Sequence, residues 1–396
     1  MTNDDRGGDR APGLTQGFAT RAIHAGETPD PATRAHNTPI YMTATFTFDT
    51  GEEKEAAVDS SLAWQGGYFY SRTGNPTTSA LEAKLASLEG AEDAVVGASG
   101  MAALASLVYS VVRAGDHLLV ADDIFAISRV LISDDLPRRG VDVSAVDITD
   151  LDAVRAALRP NTRAIVTEVL SNPFMRIADI PALAAIAHSH GAKLLVDNTF
   201  LSPYVYRPLP DGADAVVHSA TKYLAGHGDA LAGVVAGAKS IIDGVRYHLD
   251  AIGGAASPFN SWLVMRGVRT LPLRMEAHSR NGQALAGLLA SHPAVEWVRY
   301  PGHPSHPDFA TAERLLGDRR GGMMTVKIRG GATEMYAFTN ATRLCSIAVS
   351  LGDLYTLVYP MPKRGDIVRI STGCEDREDI LADVGRALDA VPLPVG

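Results

Sequence analysis

Cysteine is nearly missing from this chain: its 396 residues contain only Cys345 and Cys374, and neither sits in a CxxC pair or a Cys/His ligand spacing. That excludes a disulfide framework and a structural zinc site, and leaves two ordinary thiols of a reducing compartment as the expectation. No apolar run approaches the roughly 20 residues that span a bilayer, and the opening MTNDDRGGDRAPG has no apolar stretch of signal-peptide type. A cytoplasmic protein without membrane contact is therefore expected. A basic excess is also lacking, with 36 Lys and Arg against 45 Asp and Glu for a net charge of −9, and like charges form no block. This argues against nucleic acid or anionic lipid as the main partner and makes a small molecule the default.

What is present is a globular composition, 46% apolar and 20% charged. Residues 1 to about 17 are rich in Gly, Asp and Arg and read as a mobile tail. Irregular apolar spacing up to about residue 65 suggests an extended N-terminal arm of the kind that covers a neighbouring subunit. From about 75 to 260, short apolar runs alternate with Ala-rich helical stretches: AVVG, HLLVAD, AIVTEV, KLLVDN, AVVHS and AGVVAG. Alternation of this length predicts an α/β domain with a mostly parallel sheet covered by helices on both faces. The chain is accordingly divided at 1–65, 66–260 and 261–396. In the last part WLVMRGVRTLPLRM reads as one amphipathic helix, GGMMTVKIRG and VRISTG as strands, and EDILADVGRALDAV as a closing helix, which together make a smaller α+β unit.

In parallel sheets chemistry gathers at the carboxyl ends of strands, and polar residues stand at those points here: Ser99-Gly100, Glu168, Asp197 and Ser219 to Lys222. Lys222 follows an apolar strand and the hydroxyl residues Ser219 and Thr221, whereas most lysines lie in solvent. Asp197 ends the run LLVD, where an ionised carboxylate needs a cation to offset lost hydration. A pyridoxal 5'-phosphate site requires a lysine to form an imine with its aldehyde, a carboxylate facing its ring nitrogen, and donors around its phosphate. Lys222, Asp197 and the free amides where Gly100 and Met101 open the helix SGMAALASLVYSVV could supply these three. Taken singly each residue has a plainer reading: a surface lysine, a strand-end or N-cap aspartate, small residues for close packing.

Nine segments carry a resemblance: TRAIHAG, YSRTGNPT, SGMAA, SNPFMRIADI, VDNTF, HSATKYLAGHGD, SPFNSWLVMRGVRTLPLRM, VSLGD and VRISTGCED, in this order along nearly the whole chain. The chain resembles the pyridoxal-phosphate enzymes of cysteine and methionine metabolism, which include cystathionine γ-synthase, cystathionine lyases, methionine γ-lyase and O-acylhomoserine sulfhydrylases. The resemblance implies the aspartate-aminotransferase-like fold, fold type I, and a homodimer or homotetramer. It makes Lys222 the cofactor-binding lysine and Asp197 the partner of the ring nitrogen. Ser219, Thr221, Gly100 and Met101 would hold the phosphate, Asn172 would sit near the phenolic oxygen, and Tyr70 and Arg72 would reach a neighbour's phosphate. Arg369, with Ser350 nearby, would grip the α-carboxylate of an amino-acid substrate.

Three departures stand out. The family usually carries a stacking, proton-donating tyrosine where ADDIFAIS places Phe125, so the ring remains and the acid is lost. The acidic residue that lyases of cystathionine tend to place before Ser-Leu-Gly is Val349. A long His-containing stretch after that motif is shortened to DLYTLVYPMPKRGD, which would widen the cleft. These favour γ-replacement or γ-elimination on an activated homoserine skeleton, such as S-adenosylmethionine or an O-acylhomoserine. An ordinary methionine γ-lyase or O-acylhomoserine sulfhydrylase is the alternative, and a catalytically silent scaffold subunit the alternative of another class. His227 and Asp229 in GHGD have no metal-ligand spacing, so no metal is expected.

Overall fold

Seven strands form the first sheet of the computed structural model, which describes residues 16–392: β1 (Asp93–Gly97), β2 (His117–Ala121), β3 (Asp142–Val146), β4 (Thr162–Glu168), β5 (Lys193–Asp197), β6 (Ala215–Ser219) and β7 (Gly233–Gly237). Their order is β1-β7-β6-β5-β4-β2-β3, and only β7 runs against its neighbours, so the sheet is mostly parallel. The central strands are apolar on both faces because helices cover both, which is why they read as continuous Val/Leu/Ile runs rather than alternating ones. β2 is followed by β3 on one side while β4 lies on its other side. The loops leaving β2 and β4 therefore part, opening a crevice at the carboxyl edge.

A second sheet of five strands, β8 (Val295–Arg299), β9 (Met323–Ile328), β10 (Ser346–Ile347), β11 (Leu357–Met361) and β12 (Ile367–Ser371), has the order β10-β11-β12-β9-β8. It has its own apolar core, which includes Val326, Phe338, Val358 and Ile370. The closing helix is Arg377–Asp389. The short segment between β11 and β12 is a single turn of 3-10 helix, Pro362–Arg364, followed by Gly365 and Asp366.

Two expectations change. The stretch 262–275 belongs to two helices, Pro258–Val268 and Leu271–Ser291, because Pro272 lacks an N–H and disfavours a helical residue before it, so it starts the second helix. The N-terminal segment is not extended throughout: it contains helices Phe18–His24 and Gly51–Leu62, the latter capped by Thr50 accepting from the Glu53 amide. Of the expected mobile tail, residues 1–15 lie outside the described residues. No helix among the described residues is long and apolar enough to cross a membrane.

The first of these helices is anchored by a buried charge. Lys84, fully buried, donates to the carbonyls of Ala22 and Ile23 at 2.9 Å each and pairs with Glu27 at 3.0 Å. Glu27 also pairs with Arg269. Lys84→Ala strands two carbonyls and half of this network, so a loss of about 3 kcal/mol is expected, read as a lower urea midpoint than wild type.

Candidate active site

β4 and β5 run parallel with Glu168 opposite Asp197, so two carboxylates end neighbouring strands. The Asp197 carboxylate accepts from the Thr199 amide at 2.8 Å and has no cationic side chain in contact among the described residues. Burial pushes its pKa up, against the opposing pull of the Thr199 donors. Glu168 is held differently. One oxygen accepts from the Phe125 amide at 2.8 Å, the other from the Asn172 amide at 3.0 Å. Burial first, and then the charge of Asp197, hold its pKa well above the usual carboxylate range.

Lys222 lies just beyond β6, and its Nζ donates to Ser350 Oγ at 2.8 Å. Arg369, on β12, donates to the carbonyl of the same Ser350 at 2.8 Å and to Asn172 Oδ1 at 3.1 Å. Ser350 is thus bound from both sides, and it sits at φ 89°, a region that costs a non-glycine residue on the order of 1–3 kcal/mol. Burial, and then the nearby Arg369 charge, lower the Lys222 pKa. Arg369 is 5% exposed and lies over the rings of Tyr359 and Phe200. Burial brings its pKa down to about 10. No carboxylate neutralises either cation among the described residues.

Ser99 caps the helix Gly100–Val111 by accepting from the Ala102 amide, which leaves the first amides of that helix free. Gly100 is required here: a Cβ would stand 2.7 Å from the Ser219 Cβ. The helix N-terminus therefore touches the end of β6, and a cradle of main-chain N–H groups and the Ser219 hydroxyl results. Thr221 is occupied locally, exchanging hydrogen bonds with the Ala232 carbonyl at 3.3 Å and the Ala232 amide at 3.2 Å. Met101 touches Ser128, its sulfur 3.9 Å from the hydroxyl.

Not every expected residue joins this cluster. Tyr70 is 41% exposed, and Arg72 lies over its ring and pairs with Asp250 at 2.7 Å. The cavity of about 300 Å³ that Arg72 lines contains neither Lys222, Asp197 nor Arg369. Val349 is 67% exposed. Phe125 is 40% exposed, tied to the site through its main chain. Two participants escaped the sequence reading as site residues, Glu168 and Thr199. The signal was available in part: TEVL ends an apolar strand as VDNT does, but a carboxylate bridging two backbone amides leaves no motif.

The arrangement fits pyridoxal phosphate: a half-buried amine, a half-buried carboxylate lacking a cation, and a cradle for a phosphate where a Cβ at position 100 would not fit. Fold and site define a pyridoxal-phosphate enzyme of fold type I. Residues 19–389 match the family described as Cys/Met metabolism PLP-dependent enzyme, and the chain belongs to it. It is 43% identical to an L-methionine gamma-lyase of Pseudomonas putida, over 94% of this chain and 98% of the relative. It is 41% identical to a cystathionine gamma-synthase of Mycobacterium tuberculosis, over 98% and 100%. A crystal structure of metB from Corynebacterium glutamicum superposes with a TM-score of 0.89 at 38% identity, covering 95% of this chain and 98% of that one.

Two outcomes follow from this geometry. Only the neutral amine of Lys222 attacks an aldehyde, and Arg369 favours that form. In Arg369→Gln the Lys222 pKa rises, so the pH profile of pyridoxal-phosphate capture by the apoprotein moves to higher pH, while Arg369→Lys keeps it near wild type; visible absorbance follows the reaction. Glu168→Gln replaces one acceptor by a donor facing a backbone N–H, which costs about 1–3 kcal/mol. The Phe125 or Asn172 segment then loosens, and KM for the amino acid should rise roughly tenfold with a smaller change in kcat.

Proposed function

We propose that this enzyme catalyses γ-elimination on an L-α-amino acid whose γ-carbon carries a sulfur or oxygen leaving group, as in the methionine γ-lyases it resembles. One observation carries the reading: a half-buried amine and a buried guanidinium, both without a carboxylate partner among the described residues, are joined through the single residue Ser350. Arg369 would grip the α-carboxylate through its fork. The α-carbon is thereby brought beside the Lys222 amine. Pyridoxal phosphate, when bound, withdraws electrons from the α-carbon. Asp197 would hold the proton on its ring nitrogen, and Gly100, Met101 and Ser219, with Thr221 beside them, would hold its phosphate. Asn172, fixed by Glu168 and Arg369, would stand by its phenolic oxygen. Lys222 would take the α-proton, hand it on to the cofactor side of the bound substrate and, as a neutral amine again, take a β-proton, so that the γ-substituent can depart with its electron pair.

A second reading is favoured by Phe125. A thiolate benefits from an acid as it leaves, whereas a sulfonium leaves as a neutral thioether and an acyl ester as a stabilised anion. A phenylalanine in place of a tyrosine supports activated substrates, S-adenosylmethionine or O-acylhomoserine, with elimination or replacement by a nucleophile. The retention of Lys222, Asp197 and Arg369 in a chain of this enzyme family argues against the scaffold alternative.

We further infer that each site is completed by a second chain. Tyr70 and Arg72 lie outside the Lys222 cluster of their own chain, which supports their reaching a neighbour's site with the 1–65 arm. The division at about residue 260 and a reducing, cytoplasmic setting belong to the same reading, the latter supported by the unpaired Cys345 and Cys374.

Consumption of methionine, cystathionine, O-acetylhomoserine and S-adenosylmethionine, followed with and without an added thiol nucleophile and with 2-oxobutanoate release marking elimination, tests both readings. Turnover of methionine at a rate comparable to the activated substrates supports the first; confinement to activated substrates supports the second; no turnover of any sinks both. Phe125→Tyr should raise kcat for methionine, by up to the 10²–10⁴-fold range of a placed general acid, and change the activated substrates little.

A further inference from the structure

A second cavity, about 420 Å³, opens at the seam of the two sheets, beside but separate from the Lys222 cluster. It lies where the loops after β2 and β4 part, the position at which open α/β sheets bind ligands. Its walls reach the cluster by chain adjacency: Asp123 is two residues from Phe125, and Ser171 precedes Asn172. Arg364, from the turn between β11 and β12, closes it opposite Arg299 at the end of β8.

Its charged groups are unevenly matched. Arg176 is neutralised by Asp308 through two hydrogen bonds, at 2.8 and 3.1 Å, and stands 3.9 Å from Asp147. The Asp147 carboxylate accepts from the amide and hydroxyl of Thr149. Asp123 accepts from the Ser171 hydroxyl, and burial raises its pKa toward the neutral form. Arg129 donates to the Asp122 carbonyl, and Asp122 is exposed. Arg129, Arg299 and Arg364 make no salt bridge among the described residues, and the acid whose charge reaches both of the last two is Asp123, which acts on them only through space. Arg299 lies over the rings of Trp297 and Phe174 and donates only to the Phe174 carbonyl, at 3.3 Å. Its pKa is lowered by burial first and then by the like charge of Arg176. Three guanidiniums without a salt bridge face one cavity, and of these Arg299 and Arg364 share one acid, Asp123, that is itself hydrogen-bonded by Ser171 and pushed toward its neutral form.

We propose that this crevice is an anion site, in which Arg299 and Arg364 together clamp the phosphate or carboxylate group of a small molecule. A guanidinium fork suits either group. The group belongs either to the distal end of the bound amino acid's γ-substituent or to a free anion.

Thermal unfolding of the cofactor-loaded enzyme, titrated with inorganic phosphate and with succinate at constant ionic strength in KCl, tests the site. Loading the enzyme first keeps the probes out of the cofactor's own phosphate cradle. A saturable rise in midpoint is expected for wild type, with at least tenfold weaker apparent affinity in Arg299→Gln and Arg364→Gln. Lys363→Gln, on the same turn and exposed, should keep wild-type affinity. Absence of saturation, equal binding in both arginine variants, or an equal loss in Lys363→Gln overturns the proposal. If Arg299→Gln fails to fold, Arg364→Gln alone decides. The source is separated by kinetics on methionine and O-phosphohomoserine. A tenfold KM rise in Arg364→Gln for the second substrate alone, with phosphate competing against it, assigns the group to the substrate; saturable binding without competition assigns a free anion. The unfolding measurement needs no turnover, so an anion site in an enzyme inactive on all these amino acids would remove the functional reading and leave this one.

Discussion

Burying a charge without a partner costs several kcal/mol, because the hydration lost is not replaced. The structure depends on tolerating this at three side chains. Lys222 and Arg369 are cations lacking a carboxylate, and Asp197 is a carboxylate lacking a cation. Each is pushed toward its neutral form, the two cations downward in pKa and the acid upward. This is the response of a site assembled without its counter-ions. In the proposed function a protonated ring nitrogen would answer Asp197 and a substrate carboxylate would answer Arg369, so cofactor and amino acid would complete a charge balance that the chain leaves open.

Two separate units are needed to keep those charges apart. Asp197 and Lys222 come from adjacent strand ends of the first sheet, and Arg369 and Ser350 come from the second unit. Arg369 is fixed in register between Tyr359 on β11 and Thr325 on β9. Were all three charges on one strand edge, Asp197 would pair with a cation of its own chain and the ring nitrogen would have nothing to meet. Ser350 is the point where the units join. It satisfies both cations without neutralising either, and its unfavourable φ is held by those two bonds.

The strands of the first sheet were legible because helices on both faces force continuous apolar runs, and a run ending in Asp, Ser or Glu marks the functional edge without knowledge of neighbours. Lys222 and Asp197 were legible for the same reason. β3, with exposed and half-buried positions at the sheet edge, has no such run and was not seen. The break between Val268 and Leu271 was missed because the amphipathic pattern runs across it and only Pro272 marks it. Glu168 could be seen as a polar strand end, but its role rests on two backbone amides from segments 43 and 4 residues away in sequence, which no spacing records. The absence of a salt bridge at Arg299 and Arg364 among the described residues is equally illegible, since it depends on which acids are already engaged.

How Phe125 is held bears on specificity. Its position is secured by its main-chain amide on Glu168, and its ring makes no demand on that bond. In the proposed function the wall that Phe125 would offer the cofactor is thus placed by backbone, while its side chain is free to be an aromatic ring with or without a hydroxyl. The same carboxylate places Asn172, and through Asn172 the guanidinium of Arg369. On that reading a change of side chain at 125 would alter proton donation to a leaving group without disturbing the grip proposed for Arg369. A relative of methionine γ-lyases can in this way diverge in its leaving group while keeping its amino-acid recognition, because one buried acid fixes the scaffold of both and the chemistry of only one lies in a side chain.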